Sequence, residues 1–93
     1  MAKVTVLLPR LLEPAVGGTR QLEINATTLQ EAIDRLLERL PQLRVHLFDE
    51  ERLLRPHVLC FLDGNGTRLH TNPRLVDGGE IRFLQAVSGG TQP

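Results

Sequence analysis

Residues 28–41 read TLQEAIDRLLERLP, and they commit the chain to a helix that cannot stand alone. Thr28 and Glu31 have the spacing of a capping box. It predicts that the Thr28 hydroxyl accepts from the Glu31 N–H while the Glu31 carboxylate reaches back to the cap amide. Leu29, Ile33, Leu36, Leu37 and Leu40 recur at intervals of three and four with Ala32 beside them, so one face is apolar and the other charged. Pro41 ends the run, because its ring collides with the preceding turn. The stripe needs a second layer to cover it.

The flanking sequence supplies strands for that layer. Residues 3–8 (KVTVLL) are β-branched and apolar and predict a strand stopped by Pro9. Residues 10–18 read as a loop with one apolar knuckle, Leu11-Leu12, and Gly17-Gly18 turn the chain. In residues 19–25 (TRQLEIN), Leu22 and Ile24 alternate with Gln21 and Glu23, as the return strand of a broad hairpin would. Residues 42–54 show no sustained period and predict only a short helical turn over residues 44–48, then a loop.

The second half repeats the theme. Residues 57–63 (HVLCFLD) are continuously apolar and predict an interior strand in contact on both faces. Asp63-Gly64-Asn65-Gly66 reads as a turn, residues 67–70 as a short strand, Asn72-Pro73 as another turn. Asp77-Gly78-Gly79-Glu80 tightens the chain before residues 81–87 (IRFLQAV), the last strand. One helix among four or five strands specifies a two-layer α+β domain. The apolarity of the first and last strands predicts that both are central, so the expected fold is a β-grasp with a mixed four- to five-stranded sheet on one main helix.

At 93 residues the chain has room for one domain with one modest core. Hydrophobic residues make up 41% of it, in spaced runs too short to span a membrane. Lys plus Arg and Asp plus Glu number 11 each, so no bulk charge favours nucleic acid or an anionic membrane. The opening stretch resembles a signal peptide until Pro9, Arg10 and Glu13 interrupt it. The single cysteine excludes an intrachain disulfide framework and fits a reducing cytoplasm, the expected location.

Few side chains suggest chemistry. Cys60, between Leu59 and Phe61, reads as a small buried hydrophobe rather than a nucleophile or persulfide carrier. His46, His57 and His70 lack the short spacing of metal ligands, so no metal site is expected. Asp49-Glu50-Glu51 reads as a wet loop. No acid/base pair or activated nucleophile emerges, and the chain is not expected to be an enzyme.

The order of these pieces is more telling than any one of them. The Val/Thr-rich opening strand, the capped Leu29-Gln30-Glu31-Ala32-Ile33, the Asp63-Gly64 turn, the Asp77-Gly78-Gly79-Glu80 turn and the late Gly89-Gly90 follow one another in the chain. Over residues 3–90 this resembles the ThiS and MoaD type of ubiquitin-like sulfur carrier. Leu8-Pro9 with Leu12, Pro14 and Gly17-Gly18, and the ending Gln85-Ala86-Val87-Ser88-Gly89-Gly90, are similar to the carriers that serve cysteine biosynthesis.

The resemblance implies a ubiquitin-like domain over residues 1–88 and a tail over 89–93. It implies a protein co-substrate that binds no cofactor of its own. A ubiquitin-activating-like enzyme would use ATP to adenylate the Gly90 carboxylate, and sulfide or a persulfide would convert it to a thiocarboxylate. A sulfur-accepting synthase of cysteine, molybdopterin or specialised metabolism would then take the sulfur. Thr91-Gln92-Pro93 departs from family members that stop at the second glycine, and implies cleavage between Gly90 and Thr91 by a JAMM-type metallopeptidase. Tail residues Ser88 and Gly89 would thread into the partner. Docking would use positions among Phe61, Leu62, Phe83 and Leu84, of which alternate members must face away from the helix, with Arg10 and Arg82 pairing to acids. Two other readings stand beside this one: a β-grasp binding module with no tail chemistry, and a ubiquitin-like modifier joined to lysines.

Overall fold

Ala2, Val4, Val6 and Leu8 are buried while the residues between them are not, which lays one face of the first strand on the core. The computed structural model describes residues 1–51 and 53–85. The strands are β1 (Ala2–Leu7), β2 (Gln21–Ala26), β3 (Val58–Leu62), β4 (Asn65–Thr67) and β5 (Glu80–Gln85), and the helices α1 (Leu29–Arg39) and α2 (Leu43–Leu47). The sheet order is β2-β1-β5-β3-β4. β1 and β5 run parallel and every other pair is antiparallel. The first and last strands are therefore neighbours in the interior of the sheet, as the sequence predicts, and the fold is a ubiquitin-like β-grasp.

Leu29, Ala32, Ile33 and Leu36 of α1 join Val4, Val6, Ile24, Val58, Ile81 and Phe83 of the sheet in one core. Leu43 and Leu47 of α2 and Phe48 close its end, with the Phe48 and Phe83 rings edge to face at 6.5 Å. The Thr28 hydroxyl accepts from the Glu31 N–H at 3.3 Å. The Glu31 carboxylate reaches one residue further back than the sequence predicts, accepting from the Thr27 N–H at 2.6 Å. The reason is the extended entry to the helix, which is held against a neighbouring segment by bonds from Leu29 N–H to the Pro73 carbonyl and from Leu75 N–H to that of Thr27. α1 stops at Arg39, two residues before Pro41.

The structure departs from the sequence reading in three further places. Residues 10–18 are not a simple loop: Arg10–Val16 form a 3-10 helix that buries Leu12 and Val16 and leaves Leu11 exposed. The second hairpin turns on two residues, Asp63 (φ 52°) and Gly64 (φ 86°), so Asn65 and Gly66 lie in β4. Positive φ at both central positions is the signature of a type I′ turn, whose twist matches the strands. The strand expected over residues 67–70 thus begins earlier, and Leu69–Thr71 form a 3-10 turn. Finally, β3 is buried on one face only: Val58 and Cys60 are covered, Leu59 is not.

Two carboxylates brace the turns. Asp63 accepts from the Glu80 N–H at 2.8 Å, and Asp77 from the Lys3 N–H at 2.8 Å. Between them, a Cβ at Gly79 would lie 2.9 Å from both the Val76 carbonyl and an Asp63 carboxylate oxygen, so only glycine fits there. The Asp77-Gly78-Gly79 turn is structural, as the sequence suggests.

Candidate functional site

Because β1 and β5 are parallel, both run toward the same end of the sheet. Leu7 sits beside Arg82, Gln85 beside Val58, and the Leu8 N–H bonds to the Arg20 carbonyl at 2.8 Å. The described chain reaches Gln85 at that end of the sheet. The tail positions Ser88, Gly89, Gly90 and Thr91, together with the last two residues of the expected final strand, lie outside the described residues.

Alternation decides which of the expected docking residues share a face. Phe83 is 1% exposed and belongs to the core, and Leu62 packs against that core from the same face. Phe61 and Leu84 point the other way. The cross-strand register sets Leu59 beside Leu84 and Phe61 beside Arg82, with Leu7 on the other flank of Arg82. Leu59 is 50% and Leu84 41% exposed. The open face thus carries an apolar stripe of Leu7, Leu59, Phe61 and Leu84 with a guanidinium in its middle.

Next to the stripe, at the end of the sheet where β1 and β5 finish, a groove of about 630 Å³ is lined by Leu7, Pro9, Arg10, Arg20, Arg82 and Leu84. Three arginines on one groove make it locally basic although the formal net charge of the chain is zero. Glu13 stands 3.8 Å from Arg20 and Glu80 3.3 Å from Arg82, both as solvent-screened pairs. The structure places Arg10 and Arg82 on one groove and adds Arg20, Leu7 and Leu59 to the candidates. Leu59 had a visible signal, since it shares strand parity with Phe61 in HVLCFLD. Arg20 and Leu7 had none, because only the sheet order places Leu7 beside β5 and Arg20 on the same groove.

The remaining candidates are separate. Cys60 is buried on the core face, and burial pushes its thiol up to about 11. His46 lies in α2, His57 just before β3 and His70 in the 3-10 turn after β4. Among the described residues no three His, Cys, Asp or Glu side chains converge as metal ligands would, and no helix is long and apolar enough to cross a membrane.

The sequence pattern of the ThiS family matches residues 6–90 of this chain. The chain belongs to the ThiS family. This ThiS-family protein also resembles several solved structures. Small archaeal modifier protein 1 of Methanosarcina acetivorans is 30% identical over 97% of this chain and 98% of its own, with a TM-score of 0.76. A chain from the Amycolatopsis orientalis BexX/CysO complex is 26% identical over 94% and 99%, with a TM-score of 0.77. SAMP1 of Haloferax volcanii shares the fold at a TM-score of 0.83 over 96% and 100%, with 23% identity. No curated protein matches the chain significantly. Family and fold together make this a small ubiquitin-like protein of the ThiS family.

Proposed function

We propose that the protein is a sulfur carrier acting through the carboxylate of Gly90. The observation that carries this reading is that the family match extends through Gly89 and Gly90 and stops there. Hydrolysis of the Gly90–Thr91 peptide bond frees the acid. A partner enzyme then transfers AMP from ATP to it with release of pyrophosphate, and sulfide displaces AMP to leave a thiocarboxylate. Without a Cβ at either position, the last two residues fit a channel that admits only backbone. The partners supply catalysis; this chain supplies reach and a reactive end.

The open face is the natural place for those partners to hold it. A stripe of four apolar side chains next to a basic groove suits an enzyme surface with an apolar centre and an acidic rim, the rim steering encounter more than adding affinity. The solved BexX/CysO complex supports the idea that a chain of this shape works bound to a partner protein. The downstream acceptor is a sulfur-incorporating synthase, with the cysteine pathway favoured by the similarity to CysO.

The archaeal modifier proteins among the similar structures favour a second reading, a modifier joined to lysines through the same activated glycine. ATP–pyrophosphate exchange with the cognate adenylating enzyme tests what both share. A chain ending at Gly90 should support exchange and the full chain should not. Exchange with neither leaves only the binding module. Lysine adducts of higher mass in lysate would mark the modifier.

A further inference from the structure

The sheet has two outer strands, and the protein blunts them by different means. β4 is only three residues long and is followed at once by a 3-10 turn. β2 is six residues long and lies at the opposite edge. The Leu8 N–H to Arg20 carbonyl bond fixes which of its groups face inward: the pairs Val6–Leu22, Val4–Ile24 and Ala2–Ala26 exchange hydrogen bonds, and Gln21, Glu23 and Asn25 direct theirs outward. An outward row of this kind is a template for another strand.

One outward acceptor is already taken. The guanidinium of Arg39, the last residue of α1, donates from Nη1 to the Glu23 carbonyl at 2.6 Å. Glu23 is the middle of the three outward residues, so a cation there interrupts any added strand at its centre. The longest self-pairing of two copies, antiparallel and centred on Glu23, would also set Glu23 against its own copy. Like charges directly opposite are unfavourable.

We propose that Arg39 is an edge guard, and that its contact with Glu23 keeps the β2 edge from pairing with the β2 edge of a second copy. The reading does not depend on what the tail does.

Arg39→Ala removes the guard while keeping a good helix former at the end of α1. Losing one charge-assisted hydrogen bond that competes with pairing should tighten self-association, read by sedimentation velocity over a concentration series, by about tenfold or more. Amide exchange of the associated R39A protein should slow at Gln21, Glu23 and Asn25. Adding Glu23→Gln should tighten association further. Adding Asn25→Pro should reverse it, because the Asn25 N–H points outward and an edge strand accepts proline there without loss of an internal bond. An R39A protein that associates no more than the parent overturns the proposal. So does one that associates with exchange at those three amides unchanged, and this readout decides the matter even where the proline variant does not fold.

Discussion

Replacing Phe83 and Leu84 one at a time by alanine measures which face of β5 carries the core. Phe83 is enclosed, so Phe83→Ala should cost about 3–5 kcal/mol in urea unfolding. Leu84→Ala, on the open face, should stay within about 0.5 kcal/mol. Equal costs would mean the register is wrong. Cys60 gives a second test at this scale. Its thiol, buried and pushed up to about 11, should resist a disulfide reagent in the native protein at pH 8 and react at once when unfolded. Fast native labelling would reopen a chemical role for it. Glu31 provides the pH dependence: the Thr27 N–H bond, with Arg35 adding to it, holds its carboxyl below the ordinary 4.5. A carboxyl lowered in the folded state adds stability that is complete above that ordinary value and is lost as pH falls through the folded one. Denaturant midpoints taken from pH 6 down to pH 2 should therefore fall less steeply for Glu31→Gln than for the parent.

Elements were legible where one local signal dominated. The 28–41 stretch predicts α1 because cap, stripe and proline all agree; β2 follows from apolar alternation, and β1, β3 and β5 from apolar runs bounded by turns. Where two signals compete, the reading fails. Asp63-Gly64-Asn65-Gly66 offers two consecutive dipeptides that each suit a hairpin, and only the pairing of Leu62 with Asn65 selects the first. The 3-10 helix over Arg10–Val16 contains Pro14 and forms because burying Leu12 and Val16 outweighs weak local preference. The continuous apolarity of HVLCFLD predicts two buried faces, whereas Leu59 and Phe61 belong to a face with no second layer among the described residues. An apolar residue on an open face looks the same in sequence as one in the core. A prediction belongs here too: Thr28→Ala removes the cap hydroxyl and should cost about 1 kcal/mol, read as a shift in denaturant midpoint with unchanged slope.

For the whole molecule, the parallel pairing of β1 with β5 is the feature that turns a fold into a candidate site. It gathers the ends of both strands and the Arg10, Arg20 and Arg82 groove at one end of the sheet. None of this can be read from charge balance, because the cations come from three separate segments. Arg82→Glu, which reverses charge at the centre of the open face, should weaken binding to an adenylating enzyme by about tenfold or more in titration calorimetry while leaving the fold intact. The tail chemistry itself rests on family membership and on the position of the glycines. Intact mass, taken after incubation with the cognate peptidase, adenylating enzyme, ATP and sulfide, tests it most directly. The account predicts loss of Thr91-Gln92-Pro93 followed by a gain equal to the difference between one sulfur and one oxygen atom. A chain of unchanged mass, or one trimmed but never gaining sulfur, would contradict it.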